Sequence, residues 1–304
     1  MSEIFALLSA TCFSLGNLAI TRGAGPASRD SGAFLSILQT LVLSLAIWLY
    51  FSLSAGWPSI NTVGLAWFAL AGCLTMFFGR VFVYASVQHL GAVRASAVKR
   101  LNPLFSVLLG VLLLGESIDM HMGLGMLLIF SSYGMLVMQT LRTTAGRRSG
   151  TPARSTLGTL ANLGYFFGPA AGLAYAFGYV ARKYGLLQIS DPALGTFIGA
   201  LIGASAFIVA AQFLDSYKQA LRAAVTTFNP WLFGAGICYS TGQILFFVAL
   251  NYGTISRVAL ISSMEVFVTI FLVTFVFRRH EPVTWSVWLA ACLGVLGTTL
   301  VMWT

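Results

Sequence analysis

Apolar runs of about twenty residues follow one another along almost the whole chain, separated by short stretches of Gly, Pro and charge. The hydrocarbon core of a bilayer is about 30 Å thick, and an α-helix crosses it in about 20 apolar residues. A helix also pairs its own backbone groups, as that layer demands. The pattern therefore predicts an all-α polytopic membrane protein. Of its 304 residues, 58% are hydrophobic and 8% charged, where a soluble domain carries roughly 25% charged residues.

Ten spans are predicted, near 3–21, 32–53, 62–87, 92–114 and 119–139, then near 158–181, 193–213, 230–251, 255–277 and 283–303. The first run lacks the basic start and short apolar core of a cleaved signal peptide and reads as a permanent span. One polar segment, LRTTAGRRSGTPARST, interrupts the series. It divides the chain into a first five-helix repeat (1–141), a basic linker loop (142–157) and a second five-helix repeat (158–304). Sliding the first half by 163 residues sets Arg94 on Arg257, Asn102 on Glu265, Arg80 on Gln243 and Gln88 on Asn251. A two-residue gap then sets Gly115-Glu116 on His280-Glu281. An odd number of spans per repeat turns the halves over relative to each other. This is the plan of two inverted repeats around a central cavity, with the substrate near the midplane.

The formal charge of +9 does not point to nucleic acid, because no basic face is interleaved with stacking aromatics. The cations lie mostly between spans, where they set orientation. With the N-terminus outside, eleven fall on the cytoplasmic side against three opposite: Arg182, Lys183 and Arg257. The four cysteines stand singly in apolar runs and read as packing residues. The sequence holds no GxSxG, HExxH or GxxxxGK[ST] pattern and no metal-holding aspartate pair, so neither an enzyme nor a cofactor is indicated.

An ionisable side chain at mid-bilayer costs at least about 2.5–3.5 kcal/mol and marks a functional site by default. Arg80, Lys99, Arg100 and Glu265 lie inside predicted spans. Residues three or four apart share a helix face, which puts Lys99, Asn102 and Ser106 on one stripe and Ser262, Glu265 and Thr269 on another. Arg100 points about 100° away from Lys99. Arg80 and Tyr84 stand one turn apart, as do Tyr239 and Gln243. The lysine and arginines also fit snorkelling to the headgroups; the short glutamate does not. Asn17 and Gln243 also suit bonding between helices, and Tyr175 and Tyr239 suit pocket walls. The predicted substrate site is Lys99, Asn102, Glu265, Arg80, Gln243, Tyr239, Tyr84, Ser262, Asn17 and Tyr175.

SLGNLAITRG after the first run, ISRVALISSMEVFVTIFLVTFVF with HEPVTWSVWLAACLGVLGTTLVM near the end, and RASAVKRLNPLFSVLLGVLLLGE in the first half form an ordered, duplicated set. The chain thereby resembles the EamA-type branch of the drug/metabolite transporter superfamily. The resemblance implies ten spans in two inverted repeats and a cavity lined by the first, third, fourth, sixth, eighth and ninth helices. It implies transport of small metabolites, often export of amino acids. It also places both termini in the cytoplasm, against the charge count. Val266 stands where the family's second repeat usually has Pro, and Lys99-Arg100 replace small or apolar residues.

The expectation is a secondary transporter, an exporter of a small polar metabolite with a carboxylate or phosphate, foremost an amino acid, working by alternating access. Lys99 and Arg80 would bind the anion, and Asn102, Gln243 and Tyr239 would orient it. Glu265 would take a proton or the substrate ammonium, which allows coupling to a proton or ion. Flipping a lipid-linked anionic headgroup is a second reading, and a non-transporting scaffold or sensor a third. The partners are a small-molecule substrate and membrane lipids, without nucleic acid, for a monomer or homodimer in a bacterial inner (cell) membrane.

Overall fold

The computed structural model describes residues 1–23, 32–90, 101–147, 155–272 and 285–303. The described residues form helices and connecting turns, with no strand among them. In chain order the helices are α1 (Ser2–Gly23), α2 (Ala33–Ala55), α3 (Thr62–Gly72), a π-helical segment (Cys73–Gly79), α4 (Arg80–Leu90), α5 (Leu101–Leu114) and α6 (Met120–Arg147). The second half holds α7 (Ser155–Gln188), α8 (Pro192–Phe213), α9 (Asp215–Thr226), α10 (Pro230–Tyr252), α11 (Ile255–Ser262), α12 (Glu265–Phe271) and α13 (Trp285–Met302).

Five helices among the described residues are long and apolar enough to cross a membrane: Ser2–Gly23, Ala33–Ser54, Thr62–Ser86, Pro192–Phe213 and Pro230–Tyr252. Their starts have local chemical causes. The Asn61, Asp191 and Asn229 side chains each accept from backbone N–H groups one or two residues into α3, α8 and α10. Such caps pair donors that no turn of helix precedes. Pro192 and Pro230 follow two of these caps, where a missing N–H costs nothing.

Every described helix except α9 finds its main neighbours in the other half of the chain. α1 packs on α10, α2 on α8 and α10, α3 and α4 on α7, α5 on α7 and α11, and α6 on α13. Small residues let the backbones meet. A Cβ on Gly16 would lie 2.6 Å from the Tyr239 ring, and Gly72 and Gly199 meet backbone to backbone where α3 crosses α8. In a bilayer, close approach of this kind takes the place of the hydrophobic effect between helices.

Four features depart from the sequence reading. The third span is not uniformly α-helical but passes through the π-helical segment. The ninth is broken at Ser263 and Met264, between α11 and α12. α6 and α7 extend into the polar segment taken as a linker, up to Arg147 and from Ser155. α9 has no counterpart among the ten predicted spans. It buries no residue fully, yet Tyr217, Ala220, Leu221 and Ala224 pack on Phe34, Ile37, Ala204 and Phe207.

Candidate functional site

The helix break carries Glu265. Two backbone carbonyls at the break are claimed from other helices: Tyr133 of α6 donates its hydroxyl to Ser263 O at 2.9 Å, and Ser14 of α1 donates to Glu265 O at 2.6 Å. Thr269 donates to the same Glu265 carbonyl at 2.7 Å. A mid-membrane break is tolerated only where such groups are re-satisfied or line a cavity. Both conditions hold here.

The Glu265 carboxylate accepts from Asn17 Nδ2 at 2.5 Å, and Asn17 Oδ1 accepts a short hydrogen bond from the Tyr239 hydroxyl. Three helices, α1, α10 and α12, are thus joined through one side-chain amide. The Asn17 amide uses its donor toward the acid and its acceptor toward the phenol, which fixes its orientation.

This chain of bonds edges a cavity of about 60 Å³, well above the roughly 10–15 Å³ that a polar site needs to hold water. Its walls come from both halves: Phe13 of α1, Asn102 and Pro103 of α5, Tyr133 of α6, Tyr175 and Tyr179 of α7, Tyr239, Gln243 and Phe246 of α10, and the α11–α12 break from Ala259 to Val266. Asn102 Nδ2 donates to the Tyr179 hydroxyl at 3.4 Å and its Oδ1 accepts from Ser106 at 3.1 Å. The buried Ser262 hydroxyl on the wall has no partner among the described residues. An apolar cleft with a few convergent polar groups is the usual form of a small-ligand site.

Of the predicted site residues, Asn102, Glu265, Gln243, Tyr239, Ser262 and Tyr175 line the cavity, and Asn17 stands behind it on Glu265 and Tyr239. Lys99 lies outside the described residues, as do Arg94, Arg100, Arg278, Arg279, His280 and Glu281. Arg80 and Tyr84 do not reach the wall. Arg80 Nη1 donates to Ser36 Oγ and Thr40 Oγ1, each at 3.2 Å, and Tyr84 donates to Ser36 Oγ at 3.3 Å. This cluster touches the site through the Tyr84 and Tyr239 rings, 5.8 Å apart. The third helix therefore does not line the cavity as expected, while Tyr133 of α6 does.

Arg182 corrects the sequence reading most sharply. Taken as a cation beyond the end of its span, it is 1% exposed and lies within α7, which runs on to Gln188. Its Nη2 donates to Thr75 Oγ1 at 2.6 Å, inside the π-helical segment. With the Gln243 amide assigned so that its oxygen rather than its NH2 faces the guanidinium, as a donor-only neighbour requires, both terminal nitrogens donate to that oxygen, and the guanidinium carbon lies 4.7 Å from the Phe247 ring centre.

The model of the EamA-like transporter family matches residues 1–138 and 162–303, nearly the whole chain. The chain belongs to the EamA-like transporter family. With it the protein falls in the drug/metabolite transporter superfamily, as a multi-pass membrane transporter. A solved crystal structure matches 99% of the chain and 98% of its own length at a TM-score of 0.62 and 18% identity, which carries the fold alone. No curated protein matches.

Proposed function

We propose that this EamA-like protein is a secondary transporter, an exporter of a small metabolite carrying a carboxylate or phosphate, foremost an amino acid, by alternating access in a bacterial inner membrane. The observation that carries the reading is Glu265, placed at a broken helix on a cavity that both halves of the chain enclose. An ammonium group would sit against Glu265, and Gln243 and Asn102 would orient the remaining polar atoms. The aromatic walls suit an apolar side chain.

Ten spans in two inverted repeats, 1–141 and 158–304, belong to the same proposal. The pairing of helices supports it. Exchanging the halves maps α1 on α10 to α7 on α3 and α4, maps α1 on α11 and α12 to α7 on α5, and returns α2 on α8, α5 on α11 and α6 on α13 to themselves. Such a twofold relation lets one rocking motion open either side around a fixed site.

Purified protein in liposomes loaded with labelled amino acids tests the reading. Release that requires an imposed proton or ion gradient is expected, and Glu265→Gln should lower its rate about ten- to a hundredfold, by loss of a charge-assisted hydrogen bond of about 1.5–3 kcal/mol. Release at the leak rate of empty liposomes under every imposed gradient would refute transport.

A further inference from the structure

Arg182 stands at one end of the cavity without touching it. Between the guanidinium and the open space are Gln243 and Tyr179, both wall residues; the guanidinium carbon is 5.7 Å from the Tyr179 ring centre. The charge is buried, and each of its partners is neutral: a threonine hydroxyl, a glutamine oxygen and two aromatic rings. Its Nε has no partner among the described residues. Among the described residues no carboxylate lies within salt-bridge distance.

A guanidinium presents a rigid fork that matches a carboxylate with two parallel hydrogen bonds. Here that fork is held by an amide oxygen and a threonine hydroxyl, both far weaker acceptors than an anion. The backbone around it is built for the position. Gly178, one turn before Arg182 on the same face of α7, has no Cβ and so admits Thr75 against the helix. Thr75 in turn donates to Ala71 O at 2.7 Å and offers its free lone pairs to Arg182.

We propose that Arg182 is the anion-recognition residue of the cavity and that Gln243 is its stand-in ligand. In the empty protein the amide oxygen of Gln243 occupies the guanidinium fork. The carboxylate of the cargo displaces it and takes the two Nη donors, while the cargo's ammonium lies toward Glu265. This assignment rests on the anionic-cargo reading above and names the residue that reads the anion.

Thermal stabilisation of the purified protein by each of the twenty proteinogenic amino acids, set against its methyl ester, tests the assignment. The ester keeps the ammonium and side chain and loses the anion. The wild-type protein should bind the best-stabilising acid about tenfold more tightly than its ester, the worth of a hydrogen bond to a charged group. Arg182→Gln should bring the two to equal affinity by weakening the acid and leaving the ester unchanged. Gln243→Glu supplies a permanent internal carboxylate to the fork. It should melt at or above the wild-type temperature without ligand and also lose the preference for acid over ester.

A purely structural arginine predicts otherwise. Arg182→Gln would then weaken acid and ester alike, and Gln243→Glu would keep the preference; either result overturns the assignment. If the wild-type protein itself distinguishes no acid from its ester, the anionic-cargo reading falls and this inference falls with it.

Discussion

Asn17 ties together two polar groups from different helices. Its amide donates to Glu265 and accepts from Tyr239, so one small side chain fixes the ionisable group on which the proposed cycle turns. Interhelical hydrogen bonds in membranes are worth about 0.6 kcal/mol on average and up to about 1.7. Asn17→Ala should therefore lower unfolding stability in detergent by about 1 kcal/mol, with Tyr239→Phe costing about as much. Because both act on one chain of bonds, the double variant should cost less than the sum, and a double-mutant cycle on thermal unfolding measures the difference. Additive losses would show that the Asn17 and Tyr239 contacts are independent. Glu265, Asn102, Gln243 and Tyr239 are legible in the sequence because each is a polar outlier inside an apolar run. Arg182 is not. Hydropathy ends its span near 181, but the punctuation that stops α7 is Asp191-Pro192, where Asp191 caps the next helix. A charge within the last turns of a helix then reads as a loop charge, and only its burial against the π-helical segment and α10 corrects the error.

At the scale of elements the break between α11 and α12 combines local and distant groups. The Ser263 hydroxyl donates to the Leu260 carbonyl, and the carbonyls of Ser263 and Glu265 accept from α6 and α1. The π-helical segment likewise depends on what packs beside it. The start of α11 is fixed from a distance as well. Glu116, just past α5, accepts from Ile255 N at 2.6 Å, from Ser256 N at 3.0 Å and from the Ser256 hydroxyl at 2.5 Å. A carboxylate at a helix start pairs orphan donors and meets the positive end of the helix dipole. Glu116→Ala should leave Ile255 and Ser256 exchanging their amide hydrogens on the order of tenfold faster, the effect of losing a cap worth about 0.5–2 kcal/mol. Amides in the middle of α10 should keep their wild-type rates. Uniformly faster exchange would mean that Glu116 supports the whole fold and not the α11 start. Spans themselves are visible in sequence because their length and apolarity are dictated by the bilayer; breaks, π turns and distant caps are dictated by neighbours.

For the whole molecule, the described residues give neither half a core of its own. The first-half helices pack chiefly on α7, α8, α10, α11 and α13, and those helices pack chiefly back on the first half. Helices that are individually stable in a bilayer associate afterwards by packing, so covalent continuity between the halves is not what brings them together. Co-expression of residues 1–147 and 155–304 as separate chains should yield a complex that purifies through a tag on either part and that stabilises with the same ligands as the intact protein. The contact between Gly72 and Gly199 offers the control, because α3 and α8 belong to different halves and meet there without side chains. Gly199→Leu forces those backbones apart, and overpacking of this kind typically costs about 1–3 kcal/mol. In the intact protein that loss should lower the melting temperature while the tethered halves stay together. In the split protein the same loss acts on an association constant, so recovery of the partner chain should fall by about tenfold or more. Halves that purify apart with wild-type glycines would refute the interleaved architecture, and equal recovery with and without Gly199→Leu would show that the α3–α8 crossing is not what joins them.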